Sequence, residues 1–398
     1  MQIYRENAKR LFLSTVFIAL LTVLLAACST TSNAGATSRD SATPTPTAAA
    51  VTKPANTPLI LIRMLNQANG WALTNNSILK TTDGGLHWHI VKTLPADSLM
   101  PKAAFRDMNY AWVTFKEVAS ARQGIFTMLR TTDGGANWQT VTIQDPTEIS
   151  TYDGIDRPPF ITTQEGWVTT GQAEGMHHSS MTIFHTTDGG LHWTMIANTA
   201  SQSQNGLPDT GNKTGISFKD SQAGWVTAEI PGNYAWLSTT SDGGKTWQQQ
   251  TLPLPKELSN AELIGDFTTT PPVFFGNDGI LPTIIFYQTQ DYMVLYVTHD
   301  GGKTWTPTTP TPITNISSNI YVADRQHAWF SDHTTFYATS DGGQNWTKVG
   351  QTPSEIGEMS FVDASNGWAI GPLTNKSPLL LHTINGGKTW QAITYSIQ

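Results

Sequence analysis

Thr81-Thr82-Asp83-Gly84-Gly85-Leu86-His87-Trp88 is the first of seven near-copies of one motif, Thr/Ser-x-Asp-Gly-Gly-x-x-Trp. The acidic position recurs at Asp133, Asp188, Asp242, Asp300 and Asp341, with Asn385 in the last copy. The aromatic position recurs at Trp138, Trp193, Trp247, Trp305, Trp346 and Trp390. Successive copies stand 41 to 58 residues apart. A period of that size means one small supersecondary unit repeated in a closed or stacked array.

Each part of the motif has a physical reason. The two glycines can take positive φ without a Cβ clash, which suits a tight turn. The Asp carboxylate can accept hydrogen bonds from N–H groups of its own turn. The Trp supplies a large apolar face to bury between neighbouring sheets. The motif therefore reads as a β-hairpin with an anchor. A second element precedes most hairpins: Gly70-Trp71, Ala111-Trp112, Gly166-Trp167, Gly224-Trp225, Ala328-Trp329 and Gly367-Trp368. Alternating runs such as Ile216-Ser217-Phe218 and Met359-Ser360-Phe361 lie upstream and read as half-buried strands. Each unit thus has four strands, A to D: the alternating run, the Gly-Trp run, the run before the motif, and the run starting at its Trp. Unit 5 lacks a Gly-Trp pair, and Pro272-Val273-Phe274-Phe275 with Ile284-Ile285-Phe286-Tyr287 is expected to take that place. Four-stranded units repeated seven times predict an all-β, seven-bladed β-propeller of antiparallel blades over residues 58–398. A parallel β-helix is the rival, but its coils have a shorter period.

The motif resembles the Asp-box, or BNR repeat, of sialidases and related propellers. The fuller unit, Ile216-Ser217-Phe218 through Gly224-Trp225-Val226-Thr227 to Thr240-Ser241-Asp242-Gly243-Gly244-Lys245-Thr246-Trp247, resembles the photosystem II stability/assembly-factor type of seven-bladed propeller. That resemblance implies a protein-binding or assembly role, reported in that family to use a patch of arginines. It fixes activity weakly, because superfolds host many functions.

The N-terminus carries a second signal. Arg5, Lys9 and Arg10 precede an apolar stretch from Leu11 to Ala27, which ends in Leu25-Ala26-Ala27-Cys28. This resembles a bacterial lipoprotein signal over residues 1–27, with Cys28 as the lipidated residue. Cys28 is the single cysteine of the chain. Residues 28–57, rich in Ser, Thr, Ala and Pro, have a composition that cannot bury a core and are expected to form a disordered tether. The expected place is extracytoplasmic, on the cell membrane through the lipid anchor only.

Formal charge is −7 for the 398 residues, and near −9 without Arg5, Glu6, Lys9 and Arg10. No basic run exists, which argues against nucleic acid as a partner. No cofactor or metal motif stands out, and a monomer is expected.

In an A–B–C–D meander, the A–B and C–D turns share one face. The variable B–C and D–A loops share the other, where function tends to sit. Candidate residues there are Tyr152, Asp153, Asp156 and Arg157; Glu174, His177 and His178; and Glu229 and Tyr234. Trp236 alone of the 14 tryptophans lies outside the repeat pattern. With Tyr234 it offers a platform for a sugar ring, against the plainer reading of packing in strand C. His87 and His192 read as turn residues. A sialidase needs an arginine triad and a Tyr/Glu nucleophile pair. The nearest match, Leu61-Ile62-Arg63-Met64, lacks the aromatic and the proline of the family motif. Arg63 and Arg130 lie in strands and Arg106 and Arg325 in A–B turns, so too few arginines are expected to converge. No catalytic residue is assigned. The expected function is a non-catalytic protein-binding or assembly scaffold. The alternatives are a surface-glycan-binding module and a glycoside hydrolase using loop carboxylates such as Glu174 and Glu229.

Overall fold

The computed structural model describes residues 57–398 apart from 119–122, 148–153, 172, 176, 200–205, 233, 259–264, 288, 315–319 and 372–378. The signal segment 1–27, Cys28 and all of the tether but Thr57 lie outside the described residues.

The protein is all-β, and no α-helix forms among the described residues. In unit 1 the strands are Leu61–Met64 (A), Gly70–Leu73 (B), Ser77–Thr81 (C) and His87–Thr93 (D), each antiparallel to the next. The same meander recurs once for every Asp-box. Units 4 and 5 share one ten-stranded sheet. Strand B of unit 4, Gly224–Gly232, outruns its own meander and pairs through Glu229 to Gly232 with Gly265 to Thr268 of unit 5.

Each Asp-box folds as its chemistry dictates. Asp83 Oδ1 accepts from the N–H groups of Leu86 (3.1 Å) and His87 (3.0 Å) and from Thr81 Oγ1 (2.9 Å). Gly84 and Gly85 have φ of 77° and 94°, and both glycines repeat this in the other boxes. The N–H of the first box glycine bonds the A–B turn of its own unit, as Gly84 to Ala68 O (2.8 Å) and Gly243 to Gln222 O (2.9 Å). The Asp-boxes and the A–B turns therefore share a face, as the meander requires.

Cores lie between units. Seven hydrophobic clusters each draw on two neighbouring units, and one joins unit 7 to unit 1 through Trp368, Ile370, Met64 and Trp88. The units therefore close into a ring. A further strand, Ser396–Ile397, pairs in parallel with His87 and Trp88 on the outer strand of unit 1.

Unit 5 corrects one expectation. Its inner strand is split into Gly265–Thr269 and Val273–Phe275, and both pieces pair with Asp278–Tyr287. Phe274 faces Gly279 and Val273 faces Ile280, just as Phe218 faces Gly224 and Ser217 faces Trp225. Gly279-Ile280, not Ile284 to Tyr287, thus holds the Gly-Trp position.

Candidate functional site

The A strands line the ring's axis, and those of units 6, 7, 1, 2 and 3 touch in succession. They enclose a cavity of about 560 Å³. Register determines which side chains enter it. Phe105, Phe160 and Phe361 face the residue before the strand-B Trp in units 2, 3 and 7. Lys102 and Glu358 stand three positions earlier in the same strands, and Arg157 stands three positions before Phe160 in the irregular segment that follows Gly154–Ile155. Arg63 and Tyr321 face the strand-B tryptophans Trp71 and Trp329 across the ladder. Side chains alternate along a strand, so one set from each inner strand turns to the axis while the aromatics turn to the unit interfaces.

Arg63, Arg106, Arg157, Tyr321 and Glu358 all line this cavity. Arg63 Nη1 donates to Tyr321 OH (2.7 Å), which donates to Phe361 O (2.9 Å). Arg157 Nη2 pairs with Glu358 Oε1 at 3.1 Å. Arg106 Nη1 donates to Ile161 O at 3.1 Å. A guanidinium carries five N–H donors, so each arginine is held on one side with donors to spare. Surrounding protein raises the carboxyl pKa of Glu358, opposed by Arg157 and Lys102. The same burial raises Asp156, opposed by its bond from Thr169 and by Lys102. Both side chains keep contact with water along the axis.

This convergence corrects the sequence reading. Arg63 does sit in a strand, but in an innermost one, so its strand position carries it to the axis. Arg106, in an A–B turn, leans over the same opening. A Tyr/Glu pair does not form between Tyr321 and Glu358: the hydroxyl is bonded to Arg63 and Phe361 O, and the carboxylate to Arg157.

The loop candidates are scattered. Tyr152 and Asp153 lie outside the described residues. Asp156 and Arg157 belong to the axial wall. Glu174 lies in Ala173–Gly175, which pairs with His178–Ser179 in a small hairpin. His178 Nδ1 is 3.7 Å from Asp209 Oδ2. His177 takes φ of 58°, and its buried Nδ1 has no hydrogen-bond partner among the described residues. Glu229 lies opposite Asn212 and Thr268 in the bridging strand of unit 4. Among the described residues no three His, Cys, Asp or Glu side chains group as metal ligands. Tyr234 is half-buried against the core of units 3 and 4. Trp236 is 1% exposed in that core, with Lys213 Nζ 5.0 Å over its ring. A stacking platform needs an open ring face, and Trp236 has none.

A family model described as photosynthesis system II assembly factor YCF48 matches residues 304–398, and a BNR/Asp-box repeat model matches residues 296–307. The chain is an Asp-box repeat propeller. The structure of YCF48 bound to a D1 peptide is 18% identical, over 83% of this chain and 95% of that one, with a TM-score of 0.50. A puromycin hydrolase S511A mutant complexed with PGG is 9% identical with a TM-score of 0.52. That match covers 87% of this chain but only 56% of the hydrolase chain. These likenesses concern the fold. No curated protein sequence matches this chain.

Proposed function

We propose that this propeller is a membrane-tethered extracytoplasmic scaffold that holds an acidic, extended segment of a partner protein in its axial cavity, without catalysing a reaction on it. The observation that carries this reading is the convergence of Arg63, Arg106 and Arg157 on one cavity of an otherwise acidic chain. Guanidinium forks match carboxylates in two-point contact, and the protein walls strengthen the attraction by keeping water back. Arg157 is the gate of the site. An incoming carboxylate replaces Glu358 on its guanidinium, and the raised pKa of Glu358 eases that exchange. The YCF48 structure, of similar fold, holds a peptide of D1, which supports a peptide as the class of ligand. Leu25-Ala26-Ala27-Cys28 supports the tether.

The test is capture of partners from detergent-solubilised envelope of the source organism, identified by mass spectrometry, by wild type and by an Arg63→Ala/Arg157→Ala double variant. We expect a saturable protein partner, bound about tenfold or more weakly by the double variant and more weakly at high salt. Equal capture by both proteins sinks the axial site. Retention of polysaccharide with no protein sinks the scaffold reading. Cys28→Ser is expected to move the chain from the membrane to the soluble fraction, and unchanged fractionation would remove the lipid anchor.

A further inference from the structure

The axial cavity has unlike walls. Its charged lining, Arg63, Arg106, Arg157 and Glu358, comes from units 1, 2, 3 and 7. Among the described residues, Val273 is the one member of units 4 and 5 that lines it. In the ring of units, unit 5 stands across the axis from units 1 and 2. An apolar side chain therefore looks across at Arg63 and Arg106. Half-buried Ile320 of unit 6 adds a second apolar side chain to the lining.

Register and a pair of prolines place the valine there. Val273 pairs with Ile280 as Arg63 pairs with Trp71 and Tyr321 with Trp329, so the three stand at one height on their inner strands. Phe274 turns the other way and stacks on Trp225 at 4.4 Å, which leaves its neighbour Val273 to the axis. Just before it, Pro271 and Pro272 lack N–H groups and split the inner strand of unit 5. Pro271 closes on unit 4: a Cβ at Gly215 would lie 2.8 Å from its Cγ. Val273 is 37% exposed. A lone exposed valine on an outer surface is ordinary, but this one opens into a cavity lined by three arginines.

We propose that the axial cavity selects a partner segment of alternating chemistry, acidic–apolar–acidic, with the carboxylates on Arg63 and Arg157 and the apolar side chain between them on Val273. The inference rests on the function proposed above and names the sequence class that the site takes. Successive side chains of an extended chain point to opposite faces, so a segment along the axis sends residues i and i+2 to one wall and i+1 to the other. The arginines match that step. Pro159, whose carbonyl accepts from Trp167 N–H at 3.2 Å, marks in unit 3 the height of Arg63 in unit 1, and Arg157 stands two positions before it. Two residues of extended chain rise roughly 7 Å, which is also the spacing of side chains i and i+2. Val273 makes the site prefer an apolar residue at i+1, because covering it removes apolar surface from water.

The test is fluorescence anisotropy of three fluorescein-labelled peptide amides titrated with the full chain: Gly-Asp-Ile-Asp-Gly, Gly-Asp-Ser-Asp-Gly and the reordered Gly-Ile-Asp-Asp-Gly. All three carry the same charge and no free terminal carboxylate. The first is expected to bind about three- to tenfold more tightly than the other two. Val273→Ser, at an exposed position, is expected to erase that preference while leaving the serine peptide's affinity unchanged. Val273→Thr, of nearly the same shape, is expected to reduce the preference and carries the test if Val273→Ser fails to fold. Equal binding of all three peptides by the wild type, weakened by Arg63→Ala/Arg157→Ala, overturns the apolar seat and leaves the function proposed above standing. A reordered peptide that binds as tightly as the alternating one overturns the alternation, and a preference kept by both Val273 variants overturns the role of that residue. No saturable binding of any of the three overturns this inference together with the axial site itself.

Discussion

At the scale of single residues, the Asp-box is an anion trap that the chain builds for its own carboxylate. The pKa of Asp83 falls to about 2: its partial burial, which alone raises it, is outweighed by hydrogen bonds from His87 and Thr81. That of Asp133 also falls to about 2, through bonds from Asn137 and Thr131. A depressed carboxyl pKa stabilises the fold above its unfolded value, near 4, and that contribution is lost as pH falls toward 2. The propeller is therefore expected to lose thermal stability between about pH 4 and pH 2. Unit 7 already shows what a neutral side chain does in the trap. Asn385 Oδ1 accepts from Thr389 N–H at 3.0 Å, and its Nδ2 donates to Thr389 Oγ1 at 2.8 Å. Asp242 makes the matching contacts with Thr246, whose hydroxyl has only to turn round to accept. Asp242→Asn is accordingly expected within about 0.5 kcal/mol of wild type at pH 7, with a flatter acid limb, whereas Asp242→Ala is expected to lose about 1–2 kcal/mol. Urea unfolding at pH 7 and pH 3 checks both, and an Asn variant as damaged as the Ala variant would show that charge, rather than hydrogen-bond geometry, holds the turn.

At the scale of elements, the strand-B tryptophan is the joint between units, through stacking and through a bond that crosses the interface. Trp112→Phe keeps the stack on Phe160 but strands the Gly189 carbonyl. Its expected cost is about 1–3 kcal/mol, against about 3–5 for Trp112→Ala. A Trp112→Phe variant as stable as wild type in urea unfolding would mean that the indole N–H adds nothing, and losses equal to those of Trp112→Ala would mean that the stacked ring adds nothing beyond it. The joints were legible in the sequence wherever Gly or Ala precedes Trp, because glycine leaves room for the facing Phe: a Cβ at Gly224 would lie 2.4 Å from Phe218. Unit 5 was misread because its joint survives as a register and not as a composition. Gly279 keeps the glycine's place under Phe274, but Ile280 looks like any strand residue until the pairing is seen. Trp236 failed in the opposite direction. A tryptophan outside the repeat pattern looks free, yet it fills the core between units 3 and 4 beneath Lys213.

At the scale of the whole molecule, ring closure makes the site and hides it from the sequence. Arg63, Arg106 and Arg157 come from three different units at unequal spacings, and only the circular arrangement of inner strands brings them to one axis. Fold and period were legible because they are local and repeated, while the site is non-local and occurs once. Closure itself depends on a short segment. Ser396 and Gln398 N–H groups donate to Leu86 O (3.0 Å) and Trp88 O (2.8 Å), and Ile90 N–H donates to Gln398 O (2.9 Å). Tyr395, 3% exposed, fills the cluster between units 7 and 1, and its hydroxyl donates to Thr57 O at 3.0 Å. Three hydrogen bonds at about 1 kcal/mol each and one buried aromatic make removal of residues 395–398 cost upwards of about 5 kcal/mol. That loss is a large share of the 5–15 kcal/mol typical of a folded domain. The shortened chain is expected to unfold at markedly lower urea, and amide exchange is expected to quicken first in units 1 and 7, where the ring would open. Tyr395→Phe, which keeps the ring and loses only the hydroxyl, is expected to cost about 1 kcal/mol. If the shortened chain unfolded at the same urea concentration as wild type, closure would rest on the Trp368 to Gly84 joint alone, and Trp368→Phe would then be the variant that opens the ring.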